Sequence, residues 1–278
     1  MKLISLNVLN GGAERIPAQV ETLCGYLPDL IALQEVFVTT VPKYRQAFEA
    51  RGYPNALDSF SLAPDLSTLT GPRKYGELLI SRYTIDPLAP SPRVMPWPER
   101  LLAAVVRTPD GECEIHTAHI PNGSNHRWLK IETLEGIYAT LAHDSDRARI
   151  LCGDFNLPQL ELPDGTVITW GQRKTADATY VRKSQQNGRW DQGERNIVVG
   201  LAAFDLCDAY RLVNGYAQED YSWYPYRANG EVLGRRFDHI FVSRQLQPTR
   251  CVYLHQFRES VPRLSDHSAV MVETARDA

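Results

Sequence analysis

Short apolar runs bounded by Gly, Pro, Asp or Asn recur along the whole chain. They read as strands near 2–8, 29–34, 76–82, 101–107, 112–119, 148–152, 237–243, 250–255 and 268–273. Between them the apolar period lengthens from two to three and four. Ile16, Val20, Leu23, Cys24 and Leu27 form one helical stripe, and Trp128, Ile131, Leu134, Ile137, Tyr138 and Leu141 form a second. The second helix is expected to start at Ser124 or Asn125, both good N-caps. Pro109-Asp110-Gly111 turns the chain between 101–107 and 112–119, so those two strands must be antiparallel. Elsewhere strands and helices alternate, which points to mixed sheets with helices outside. So many strands fit two sheets packed face to face and covered by helices, a four-layer α/β sandwich of the α+β type.

No repeat, low-complexity tract or Gly/Ser linker interrupts the 278 residues, and one domain over 1–278 is expected. The apolar share of 43% and charged share of 23% are those of an ordinary globular protein. The longest apolar stretches are far too short to span a bilayer. The first residues run straight into a strand pattern without the features of a secretion signal, so a cytoplasmic monomer is expected. Cysteines at 24, 113, 152, 207 and 251 form no CxxC pair, and are expected to be buried reduced thiols. A net charge of −3 lacks the signature of a nonspecific nucleic-acid binder. A local patch remains open to one. The stretch 157–196 shows little core signal beyond 166–170, and carries Arg173, Lys174, Arg182 and Lys183 against Asp177.

Four apolar runs begin or end on groups that suit phosphate and metal chemistry. They are Leu-Ile-Ala-Leu-Gln-Glu ending at Glu35, Ile-Leu-Cys-Gly-Asp-Phe-Asn through Asp154 and Asn156, Arg-Phe-Asp-His at Asp238, and Ser-Asp-His at Asp266 and His267. Sheets collect strand ends along an edge, so these junctions can converge. A single carboxylate such as Glu35 suffices for Mg²⁺, which keeps waters and takes substrate oxygens. Asn7 closes the first strand, either as a turn residue or as an amide orienting phosphate or a metal-bound water. An imidazole working on phosphate needs its second nitrogen held, and Asp238 is the acid left free for His267. His119 ends its strand before Pro121-Asn122-Gly123, as a surface cap or a site residue, whereas His116 reads as structural or exposed.

Taken in order, these motifs resemble the endonuclease/exonuclease/phosphatase superfamily, and most its exonuclease III and apurinic endonuclease branch. The resemblance spans Ser5-Leu6-Asn7 to Ser265-Asp266-His267. Further agreements are Phe204-Asp205-Leu206-Cys207-Asp208-Ala209-Tyr210-Arg211, Tyr221-Ser222-Trp223-Tyr224 and Tyr75-Gly76-Glu77-Leu78-Leu79. The resemblance implies Mg²⁺, or Mn²⁺, on Glu35 with help from Asn7 and Asp266. It implies that Asp154 orients or deprotonates water, that Asn156 holds phosphate, and that His267, set by Asp238, stabilises charge or acts as base. There are departures. His119 stands where that branch has Tyr, as in DNase I-like relatives that use His as a general acid. The early motif, Asn7-Val8-Leu9-Asn10-Gly11, is one residue longer than usual. The expected activity is a metal-dependent nuclease acting on DNA. Asn122, Arg173 and Lys174 would contact the substrate, and Trp223 with Tyr224 would wall a pocket for a flipped or abasic sugar. The alternatives are a phosphatase or phosphodiesterase acting on a small-molecule or lipid phosphate, and a scaffold without chemistry. Occupancy of every polar position argues against the last.

Overall fold

The computed structural model describes residues 1–63, 65–88, 95–184, 187–225 and 233–276. In chain order its first eight strands are β1 (Lys2–Asn7), β2 (Leu30–Val36), β3 (Asn55–Asp58), β4 (Gly76–Ser81), β5 (Ile85–Pro87), β6 (Leu101–Thr108), β7 (Gly111–His119) and β8 (Ala148–Asp154). Four short strands follow, β9 (Leu160–Glu161), β10 (Val167–Ile168), β11 (Gln172–Lys174) and β12 (Tyr180–Arg182). The last four are β13 (Cys207–Asp208), β14 (Asp238–Val242), β15 (Leu246–Leu254) and β16 (Ala269–Arg276). The helices are α1 (Ile16–Gly25), α2 (Val41–Glu49), α3 (Gly123–His126), α4 (Trp128–Leu141), α5 (Asn187–Val198), α6 (Ala209–Asn214) and α7 (Gln256–Glu259).

One six-stranded sheet runs β15-β16-β1-β2-β4-β3 and the other β13-β14-β8-β7-β6-β5. Both are mixed: β1 is parallel to β2 and β7 to β8, while β16 and β14 run antiparallel to β1 and β8. The expected hairpin is present, with Leu101 opposite Ala118 and Arg107 opposite Glu112.

The central strands are apolar on both faces because both faces are covered. Leu3, Leu30, Ala32 and Leu79 of the first sheet share a buried cluster with Leu102, Ile115, Ile150 and Val242 of the second. Their alternates Ile4, Leu6, Ile31 and Leu33 turn outward to Val20 and Leu23 of α1 and to Tyr44 and Phe48 of α2. Across the second sheet, Leu151 and Phe241 meet Ile131, Leu134, Ile137 and Leu141 of α4 and Ile197 of α5. This is the four-layer α/β sandwich read from the sequence.

Two local expectations need correction. The helix placed from Ser124 or Asn125 is two pieces: Asn122 caps α3 through Ser124 N, and Arg127 at φ 48° breaks the chain before α4. The 157–196 stretch is also more ordered than its composition suggests. It forms two β-hairpins and most of α5, and it buries Leu157, Ile168, Thr169 and Glu194. Cys24, Cys113, Cys152 and Cys251 are buried free thiols, and Cys207 is half-buried. No helix among the described residues is long and apolar enough to cross a membrane.

Candidate active site

The two parallel pairs point the same way, so Asn7, Glu35, His119 and Asp154 lie at or near the C-terminal ends of β1, β2, β7 and β8. Strands β14 and β16 run the other way, which brings the start of β14 and the turn before β16 to that same edge. Asp154 sits opposite both His119 and Asp238 in register. Gly153 permits this close pairing: its φ is +139°, and a Cβ there would lie 1.9 Å from the Ala118 carbonyl oxygen. The Ser265-Asp266-His267 turn is tied down by Ser265 Oγ. That hydroxyl donates to the Asn7 carbonyl (2.6 Å) and accepts from His267 N–H (3.1 Å).

His267 Nδ1 lies 2.7 Å from Asp238 Oδ2, and its Nε2 lies 3.8 Å from Asp154 Oδ2. All three residues are buried. Burial disfavours the His267 cation, but Asp238 and Asp154 outweigh it and hold the imidazole well above its usual range. Asp154 is pushed up to about 7 by burial. The His267 charge opposes that shift and the Asp238 charge adds to it. Asp154 is held by Asn7 Nδ2, which donates to Oδ2 (3.0 Å), and by Asn156 N–H, which donates to Oδ1 (3.0 Å). The Asn156 amide in turn donates to the Ile120 carbonyl (2.9 Å).

Glu35 is held at φ 63°, a costly conformation for a non-glycine residue, where the β2–β4 register slips. Asn10 N–H donates to Glu35 Oε2 (2.8 Å), and Gly11 N–H to the Glu35 carbonyl (2.8 Å). His119 Nε2 lies 3.7 Å from Glu35 Oε1 and 3.8 Å from Asp154 Oδ2. Buried Arg100 donates to His119 Nδ1. A guanidinium cannot accept, so the proton of the neutral ring sits on Nε2, facing the two carboxylates. Burial, with Arg100 and His267 adding to it, pushes His119 well below its ordinary range.

Glu35, His119, Asp154, Asn156, Asp266 and His267 border one cavity of about 320 Å³, with Asn122 and Trp223 at its wall. Its donors fit a hard divalent cation. Glu35 Oε1 is uncommitted to any hydrogen bond among the described residues, Asp266 lines the same cavity, and the remaining positions suit water and phosphate oxygens. Asp154, Asp238 and His267 also place ligand atoms within 4.8 Å of one another, but the His267–Asp238 hydrogen bond already occupies two of them. Both ends of the Asn7 amide are engaged inside the protein, Oδ1 by Leu9 N–H and Nδ2 by Asp154.

A second cavity of about 460 Å³ adjoins the first and shares Asn122, Asn156, Trp223 and Phe237 with it. Trp170, Trp190 and Lys130 also line it, and none of them was singled out in the sequence as a site residue. Nor was Phe237, although it sits inside the Arg-Phe-Asp-His motif. Tyr224 lines neither cavity and packs on Arg258 (4.3 Å). Arg173 and Lys174 are exposed on the β11–β12 hairpin and also line neither, whereas Lys183 borders the larger one.

Comparison with known proteins supports the fold and the family. Exodeoxyribonuclease III of Haemophilus influenzae is 25% identical over 287 residues, covering 98% of this chain and 99% of that protein. An AP endonuclease from Archaeoglobus fulgidus superposes with a TM-score of 0.70 at 19% identity, covering 100% of both chains. A 3′ phosphatase from Neisseria bound to a product DNA hairpin superposes at 0.65 and 21% identity, covering 99% of both. These structures share the fold. The sequence signature of the Endonuclease/Exonuclease/phosphatase family matches residues 4–267, from within β1 to His267. The chain therefore belongs to that family and is, by membership, a phosphoester hydrolase.

Proposed function

We propose that this chain is a Mg²⁺-dependent phosphodiesterase acting on DNA. The observation that carries the reading is the buried His267–Asp238 pair, 2.7 Å apart, whose imidazole borders, beside Asp154, a cavity that Glu35 and Asp266 also line. When bound, the cation supplies charge neutralisation at the phosphate. Glu35 would anchor it with Asp266, and Asn7 would assist through the free lone pair of Oδ1. Asp154, pushed up to about 7, is suited to orient water and take its proton. His267, held as a cation by Asp238, is suited to stabilise the charge growing on a phosphate oxygen. His119 offers a neutral Nε2–H to a second oxygen, and so acts as a hydrogen-bond donor here rather than as a general acid. Asn156 and Asn122 would position the phosphate group, with Trp223 beside them; Arg173 and Lys174 would meet the backbone farther out.

The net charge of −3 favours a second reading, hydrolysis of a small phosphate ester at the same site. The test is hydrolysis of duplex DNA, of an abasic duplex and of a generic phosphate ester, each in Mg²⁺ and in excess EDTA. DNA cleavage abolished by EDTA and restored by Mg²⁺ is expected, and full activity in chelator would end the metal assignment. Turnover of the generic ester alone would select the second reading.

A further inference from the structure

The larger cavity is more than a gap beside the phosphate site. Its walls are aromatic: Trp223 stacks on Phe237 (5.3 Å, 24° between planes), Trp170 lies tilted against the same Phe237 ring (6.4 Å), and Trp190 also lines the space. They are also fixed in place. Buried Glu194 accepts from Trp190 Nε1 (2.8 Å) on Oε1 and from Trp170 N–H (2.8 Å) on Oε2. The same carboxylate takes buried Lys130 Nζ (2.6 Å), which also donates to the Asn156 carbonyl (2.9 Å). One ion pair thus ties both tryptophans to a phosphate-site asparagine. Gly123 makes room for them, since a Cβ there would lie 2.9 Å from the Trp190 ring.

Polar groups remain for the edge of a ligand. Asn122 Oδ1 is used by Ser124 N–H (2.8 Å), and among the described residues its Nδ2 has no acceptor. Lys183 borders the mouth. A volume of about 460 Å³ lies within the roughly 300–1,000 Å³ of small-molecule sites, and preordered apolar walls with few polar groups are their usual form. The connection to the chemistry is direct: Trp223 is bridge-paired with His267, the two rings 6.5 Å apart.

We infer that this cavity holds the intact base of the nucleotide whose phosphate is cut, unstacked from its neighbours and laid against the tryptophans. The inference rests on the DNA reading above for the phosphate and deepens it by naming a base-bearing nucleotide, not an abasic sugar, as the group received. An abasic sugar has no π-face to offer the indoles, whereas every base has one.

The test is calorimetric binding of thymidine 5′-monophosphate and of 2-deoxyribose 5-phosphate to the full chain. The base-bearing probe should bind about tenfold tighter or more, as stacking on an aromatic platform provides. Trp170→Ala and Trp190→Ala should bring the two probes to within about twofold, and Trp170→Phe should restore most of the difference. Equal affinity in the unsubstituted protein, binding of neither probe, or a preference that survives both alanine variants would overturn the inference. Hydrolysis is read separately with a duplex carrying a tetrahydrofuran residue. Cleavage of that duplex with no base preference keeps the phosphodiesterase reading and removes the pocket assignment. A base preference without cleavage of any DNA supports the pocket and removes the activity.

Discussion

Asp238 is fully buried, with Oδ2 on His267 and no donor to Oδ1 among the described residues. A buried carboxylate left half-satisfied is costly, so its presence is better explained by what it does to the imidazole than by stability. Asp238→Asn is expected to lower turnover on the order of 10³- to 10⁴-fold, because the amide no longer holds the His267 proton in place. His267→Ala should cost as much, and the double variant little more, since the two act as one unit. The thermal midpoint of Asp238→Asn should stay near the parent value, whereas His267→Ala leaves buried Asp238 without its cation and should melt lower. Additive losses in the double variant would mean independent roles. These residues were visible in the sequence because each interrupts an apolar strand pattern with a group that strand packing does not want. Asn7, Glu35 and Asp154 were legible for the same reason. Arg100 was not: its only local sign is a charge beside an apolar strand, and its partner His119 lies on the neighbouring strand β7.

At the scale of elements, the walls of the larger cavity come from a region that hydrophobic periodicity could not read. Helix α5 contains Gly188, Gly193 and several polar residues, and it is fixed to α4 by the buried Lys130–Glu194 pair as well as by Ile197. A polar anchor of that kind leaves no apolar stripe in the sequence. Lys130→Met should destabilise the protein by roughly 3–5 kcal/mol by leaving Glu194 without its cation, and adding Glu194→Gln, which removes the charge but keeps an acceptor for a tryptophan N–H, should recover much of the loss. Denaturant unfolding measures both, and equal loss in the double variant would mean that packing, not charge, dominates there. A second polar anchor joins Arg236 to Asp208 and Glu161, with Arg211 on Glu161 (2.9 Å) and His239 on Asp208 (2.9 Å). Burial raises both carboxyls, but Arg236 and its neighbours hold them below their ordinary range. Depressed carboxylates contribute stability above the unfolded value of about 4, and that stability is lost as pH falls through the folded values. Asp208→Asn should therefore be less stable than the parent at pH 7, with the gap closing in acid. A gap that is constant with pH would show that the pair contributes nothing through ionisation.

At the scale of the molecule, β1 lies between β16 and β2, and the terminal amine donates to the Thr274 carbonyl (2.7 Å). The two ends of the chain complete the middle of one sheet, and the cluster between the sheets draws on both. We propose that the chain unfolds as a single unit, with tryptophan fluorescence and backbone circular dichroism giving coincident transitions. Separate transitions would divide it into two domains. The wide charge distribution also bears on DNA. With a net charge of −3, attraction to phosphates must come from local cations, and those on the hairpin side are Arg173, Lys174, Arg182 and Lys183. Arg182 already lies 3.8 Å from Asp191. Each neutralised phosphate contributes about −0.9 to the slope of log K against log salt, so four contacts set a limit near −3.6 for duplex binding. Replacing Arg173 and Lys174 with alanine should flatten that slope by about 1.8 and weaken binding alike for all sequences. A filter-binding or anisotropy series over salt measures it. An unchanged slope would place the DNA backbone away from the hairpin, and a slope much steeper than the limit would require a basic surface elsewhere on the fold.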